Sequence, residues 1–218
     1  MVEHEKLTHG FDKDYWEQHW QQPHRNRSAA MDGSVPHPYL AHETSSLVPG
    51  TALDAGCGAG AEAIWLASHG WQVTGVDIAA DALARAAERA ANSEVSESVQ
   101  WVEADLTVWD PGARFDLVTT HYAHPAMPQL AFYERLSAWV APGGTLLIVG
   151  HLHTSGAIER GHHPPVEASV TLMDIIAGLD STRWEVVTAE EHLRTVTRPD
   201  SQPVPLYDVV VRATRRLE

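Results

Sequence analysis

Gly56-Cys57-Gly58-Ala59-Gly60 leaves every second residue without a side chain, directly after the apolar run Thr51 to Ala55 and before a helical pattern. Such backbone reaches positive φ angles and lets a ligand lie against the main chain. Two carboxylates flank it in sequence: Asp54 stands two residues before Gly56, and Asp77 closes the next apolar run. In doubly wound folds the first strand-to-helix turn and the end of the second strand share the ligand-binding rim. A carboxylate at Asp77 can accept both hydroxyls of a ribose, so loop and aspartate together imply an adenosine-containing ligand.

Two cofactor classes compete for that loop. Gly56-x-Gly58-x-x-Ala61 satisfies the loose dinucleotide fingerprint, whose last position accepts alanine, and keeps a nicotinamide-dependent oxidoreductase open. Two features do not suit a pyrophosphate: Asp54 would set a negative charge near the phosphates, and Gly60 falls out of register with the dinucleotide pattern. A cationic ligand reverses the first objection. S-adenosylmethionine carries an α-ammonium and a sulfonium, and no phosphate.

The stretch "LDAGCGAG" resembles motif I of the class I S-adenosylmethionine-dependent methyltransferases. "VTGVDIA" is similar to their second motif, "VEADLTVW" to their third, and "AWVAPGGTLLIVGH" to their helix, Pro-Gly-Gly turn and strand. "YWEQHWQQ" resembles the Trp-x-x-x-Trp opening of the small-molecule branch that includes thiopurine and tellurite-resistance methyltransferases. The resemblance covers roughly Thr51 to His151. It implies that Gly56, Gly58 and Gly60 pass under the methionine and ribose moieties, and that Asp54 lies near the ammonium. It further implies that Asp77 holds the ribose hydroxyls, Ile78 packs on adenine, Asp105 accepts from the adenine amino group and Leu106 adds a backbone contact. Trp16 and Trp20 would close the site. Asp105 has a lesser alternative as a helix N-cap; Trp16 and Trp20 read equally as a packing stripe four residues apart, and Cys57 as a small buried residue without chemistry.

Methyl transfer from a sulfonium is an in-line displacement, in which the protein mainly aligns nucleophile, methyl and leaving sulfur. A base is needed only for a nucleophile that arrives protonated with a high pKa. The histidines supply candidates. "TTHYAHP" sets His121, Tyr122 and His124 at the end of a fourth strand, and "VGHLHTSG" sets His151 and His153 at the end of a fifth. His121 is the first candidate for a place beside the transferred methyl, with His124 and His151 as pocket residues. His162 and His163 could join them. Plain polar loop residues and a histidine-built metal site are the other readings; no HxxxH pair or cysteine partner supports a metal, and none is assigned.

These residues need a frame that brings strand ends together. "TALDAG", "WQVTGVD", "SVQWVEAD", "FDLVTTHY" and "GGTLLIVGH" read as strands, and "AEAIWLASHG", Asp81 to Ala91 and "LAFYERLSAWVA" as helices. "SVTLMDIIAGLD" reads as a helix, followed by "WEVVTAEEHLR" and "VPLYDVVVRATRR" as strands. Alternation of this kind predicts an α/β domain: a doubly wound, mostly parallel sheet of seven strands, Rossmann-like, with an antiparallel last strand. Residues 1–48 would form a cap, with about Phe11 to Pro38 folded over the cofactor, and 49–218 the core.

At 218 residues the chain suits one domain. The net charge of −14 and only two lysines, Lys6 and Lys13, speak against nucleic acid. No apolar run is long enough for a membrane span, and the polar N-terminus suggests a cytoplasmic protein. The expected partner is a small-molecule methyl acceptor with an S, O or N nucleophile. A methyltransferase-like fold kept as a non-catalytic binding module is the non-enzymatic alternative.

Overall fold

The computed structural model describes residues 10–21, 35–152, 169–196 and 204–217. Helices α1 (Lys13–Gln21) and α2 (Pro38–Thr44) precede β1 (Thr51–Ala55), α3 (Ala61–Ser68), β2 (Gln72–Asp77), α4 (Ala80–Asn92), β3 (Val99–Glu103) and β4 (Phe115–His121). There follow α5 (Gln129–Ala138), β5 (Val140–Leu152), β6 (Ser169–Val170), α6 (Leu172–Ala177), β7 (Trp184–Val196) and β8 (Val204–Arg215).

The main path of the sheet runs β3-β2-β1-β4-β5-β8-β7, with two-residue β6 pairing alongside β5. Strands β1 to β5 run parallel, while β8 lies antiparallel between β5 and β7. This is a Rossmann-like methyltransferase topology of seven principal strands, as the sequence implied. Strand order reverses between β1 and β4, and such a switch point opens a crevice at the carboxyl ends of the strands.

The central strands are apolar because both faces are covered. Side chains of a strand alternate between faces, and they divide two cores. Val118, Ile148, Val209 and Val211 join Phe132 and Leu136 of α5 on one face. Leu117, Leu147, Val149 and Val210 join Leu40 of α2 and Leu66 of α3 on the other. In α4 the buried residues Ala82, Leu83, Ala86 and Ala90 fall on one helical stripe.

Two boundaries differ from the sequence reading. Ser169 and Val170 pair in parallel with His151 and Leu152, and the helix begins only after Thr171, whose hydroxyl accepts from the Asp174 amide at 3.1 Å. That N-cap fixes the helix start. Helix α5 ends at Ala138 and β5 takes up the chain at Val140, ahead of the Pro-Gly-Gly turn. Among the described residues no helix is long and apolar enough to cross a membrane.

Candidate functional site

The glycine loop crosses the crevice between β1 and α3. Gly56, Gly58 and Gly60 adopt φ of 77°, 51° and 77°, where a side chain is strained. The Val76 carbonyl accepts from the amides of Gly56 and Cys57 at 2.8 and 3.0 Å. Asp77 completes the anchoring: one carboxylate oxygen accepts from the Gly58 amide at 2.8 Å, the other from the Ala79 amide at 2.9 Å. Burial pushes the Asp77 carboxyl up, and the amides of Ala79, Gly58 and Ile78 pull it back. Asp77 therefore holds the loop's shape as well as facing the crevice. Ile78 beside it is half-buried.

Asp54, at the end of β1, is 1% exposed, and among the described residues its Oδ2 has no hydrogen-bond partner. An orphaned buried carboxylate oxygen beside the glycine loop fits a ligand that brings a cation. Burial raises the Asp54 carboxyl well above its ordinary range, with Glu62 the next contribution, while the Ala63 amide opposes both. Cys57 is buried, and burial likewise pushes its thiol up, which suits an inert packing role.

Helix α1 lies across the loop. Trp20 packs with Ala59, Ala79 and Ala82, and Trp16 packs against that cluster. A Cβ on Gly58 would stand 3.0 Å from the Trp20 ring. The Trp16 indole donates to the His124 carbonyl at 3.2 Å, and Glu17 accepts from the Ala80 amide at 3.0 Å. The packing stripe is therefore present, and Trp20 packs on the glycine loop. Asp105 accepts from the Thr107 amide at 2.8 Å in a turn after β3, which makes it a turn former and not the cap of a helix. Leu106 is buried in the core, and its carbonyl accepts from Arg135 at 2.9 Å.

The second half of the crevice is aromatic. His124 and His151 stack at 5.4 Å between ring centroids, Tyr122 and His151 lie 4.6 Å apart, and His37 and His121 lie 6.3 Å apart. His124 and His151 therefore meet directly, while His121 lies beside His37. His37 Nδ1, His121 Nε2 and His151 Nδ1 are buried without hydrogen-bond partners among the described residues. Burial pushes His37 and His124 down to about 4 and His121 and His151 down to about 3, so all four imidazoles are neutral at pH 7. His153, His162 and His163 lie outside the described residues.

Four participants had no assigned role in the sequence. Tyr122 sits at φ 55°, an outlier for a non-glycine residue, and burial raises its hydroxyl so that it stays protonated. That hydroxyl accepts from Arg194 Nη2 at 3.2 Å and lies 3.2 Å from His37 Nε2. Arg194 Nε donates to the fully buried Asp208 at 2.5 Å. Strand register brings them together, since Asp208 pairs with His151 on one side and His192 on the other. A lone carboxylate within the apolar run "YDVVV" was the one sequence signal for this group. Beyond His124 a cavity of about 500 Å³ opens, lined by Phe11, Pro125, Met127, Leu130 and Val170 among others.

A methyltransferase-domain family matches residues 52–144. The chain is 35% identical over 182 residues to thiocyanate methyltransferase 1 of Arabidopsis thaliana, covering 81% of this chain and 76% of that one. It is 29% identical over 161 residues to a probable thiol methyltransferase 2 of the same plant, covering 72% and 68%. The crystal structure of magnesium protoporphyrin IX methyltransferase from Synechocystis PCC 6803 with bound S-adenosylhomocysteine superposes with a TM-score of 0.62. That match has 21% identity and covers 81% of this chain and 80% of that one. The crevice, its adenosyl-type loop and these relatives define a class I methyltransferase. The chain belongs to the S-adenosylmethionine-dependent methyltransferases.

Proposed function

We propose that this methyltransferase alkylates a small nucleophile that enters the pocket already as a soft anion, a thiolate or a comparable sulfur anion. The observation that carries this reading is the group of buried rings, His121, Tyr122, His124 and His151, at the ends of β4 and β5, with His37 of the α2 N-cap beside it. Bases held at about 3 to 4 cannot keep a proton taken from an alcohol or an ammonium. A thiol, with an ordinary pKa near ~8.5, ionises without their help. The names of the relatives, thiocyanate and probable thiol methyltransferases, agree with that choice.

Bound S-adenosylmethionine supplies the electrophilic methyl group. Asp77 would hold the ribose, Asp54 the ammonium, Ile78 the adenine face and Asp105 the adenine amino group, with Leu106 adding a backbone contact. Gly56, Gly58 and Gly60 form the floor. The cap, residues 1–48, would close over them through Trp16 and Trp20. Imidazole N–H groups and the Tyr122 hydroxyl orient the anion, with His121 nearest the reacting centre and His124 and His151 behind it. Anion and sulfonium lose both charges as the new bond forms. A pocket dry enough to keep imidazole neutral favours that loss over water.

The test is S-adenosylhomocysteine release with a panel of thiols, thiocyanate, phenols and amines. The expected rate profile follows the ionisation of each acceptor and shows no protein group near pH 6.5. Turnover of an aliphatic alcohol or amine at a rate matching the thiols would reject the reading.

A further inference from the structure

We propose that Gln129 locks His124 as the tautomer protonated on Nδ1, so that His124 Nε2 is a hydrogen-bond acceptor beside the apolar cavity. The methyl acceptor is then a thiol whose carbon body fills that cavity and brings an O–H or N–H group to Nε2. This narrows the acceptor class of the proposed soft-anion chemistry and rests on it.

The tautomer follows from the contacts of one amide. Gln129 Nε2 donates to the Ala123 carbonyl at 2.9 Å, which fixes the amide's orientation. Its Oε1 therefore faces His124 Nδ1, at 3.4 Å. An amide oxygen only accepts, so the single proton of a neutral imidazole sits on Nδ1 and Nε2 keeps its lone pair. Both residues are buried. Among the described residues Nε2 has no hydrogen-bond partner. The ring is held from several sides: the Phe11 and His151 rings lie 5.7 and 5.4 Å away between centroids, and the Trp16 indole donates to the His124 carbonyl at 3.2 Å. Because the His124 N–H is engaged by Gln129, the anionic end of the acceptor is left to His121, His151 and Tyr122.

His124 stands between two regions. On one side it stacks on His151, which in turn lies 4.6 Å from Tyr122, so one row of rings runs back to the reacting end of the pocket. On the other side it lines the cavity of about 500 Å³ together with Phe11, Met127, Leu130 and Val170. That volume suits a small organic molecule. An ion of a few atoms would leave most of it unfilled, whereas a carbon chain replaces water against apolar walls. The exposed Asp174 also lines the cavity. Its carboxylate and the Nε2 lone pair both disfavour a tail that ends in an anion. A tail ending in O–H or N–H meets neither objection.

Turnover of a thiol series tests this. The probes are butanethiol, pentanethiol and hexanethiol, the ω-hydroxy thiols of the same lengths, their methyl ethers and the matching ω-carboxylates. Thiol acidity changes little from four carbons upward, so the rates compare the tails. The expected result is a rise in kcat/KM of up to about fourfold per methylene along the plain thiols. At the best length the hydroxyl should exceed its ether by about three- to tenfold, with the carboxylate poorest. Nitrogen NMR of labelled imidazoles should show His124 protonated at Nδ1 in the wild-type protein at pH 7. Gln129→Leu should erase the hydroxyl preference while the dependence on chain length persists, a split that lost packing alone does not produce. A rate indifferent to chain length, an ether or carboxylate equal to the hydroxyl at every length, or a His124 protonated at Nε2 overturns the proposal. Thiols turned over at rates indifferent to the tail leave the soft-anion chemistry standing. Ready turnover of amines or alcohols beside inert thiols removes both.

Discussion

Lowering the pH from 7.5 to 5.0 should destabilise the protein through His37, His121, His124 and His151. Their folded values, about 4, 3, 4 and 3, lie below the ordinary value of 6.5. Between those limits the unfolded chain binds more protons than the folded one. Stability is therefore complete above about pH 6.5 and falls as pH drops through that window. At pH 5 each imidazole costs about 2 kcal/mol, and four give an upper limit of about 8 kcal/mol. Whole-domain stabilities are about 5–15 kcal/mol.

The buried acids act in the opposite direction. Asp54, Glu62 and Asp77 are raised in the fold, so the folded chain binds their protons first and gains stability as pH falls toward 4. The net loss between pH 7.5 and 5.0 should therefore stay below the limit set by the imidazoles alone. Urea denaturation at the two pH values measures it. Imidazole carbon resonances followed by NMR separate the contributions, because the four ring signals should stay in the neutral position down to pH 5. A midpoint above pH 6 for His121 or His151 in the folded protein would refute the neutral pocket, and with it the case against a general base.

Two substitutions test the remaining contacts. Asp77→Ala removes the acceptor for the Gly58 and Ala79 amides, so it should lower the melting temperature by several degrees and weaken S-adenosylhomocysteine by about 100-fold or more; Asp77→Asn should fall between. Arg194→Met leaves the fully buried Asp208 unpaired and should cost about 3–5 kcal/mol by chemical denaturation, part of it restored in Arg194→Met/Asp208→Asn.

The glycine loop and the strands beside it were legible because their signals are local: alternating glycines, apolar runs ending in aspartate, a helical stripe on α4. A second constraint on one glycine was not. Besides the ligand approach the sequence suggests, a Cβ on Gly60 would stand 2.5 Å from the Trp101 ring and 2.9 Å from Ala86 Cβ. Its bareness also accommodates the β3 tryptophan. The Tyr122, Arg194 and Asp208 group was hidden for a different reason. Arg194 and Tyr122 are 72 residues apart and meet only through the register of an antiparallel hairpin, which no local pattern sets.

The two halves of the crevice explain each other once their charges are compared. One half gathers the buried Asp54 and Asp77 and the half-buried Glu62, with Arg89 as the cation acting on Glu62, so it gains most from a positively charged ligand. The other half holds neutral imidazoles and an arginine already matched by Asp208, so it neither repels nor strongly traps an anion. A pocket with a free cation would hold an anionic nucleophile by an ion pair that the reaction must break. Neutral N–H donors bind it more weakly in the ground state. On the proposed reading of an anionic acceptor, they surrender less as its charge disappears, and that difference would lower the barrier.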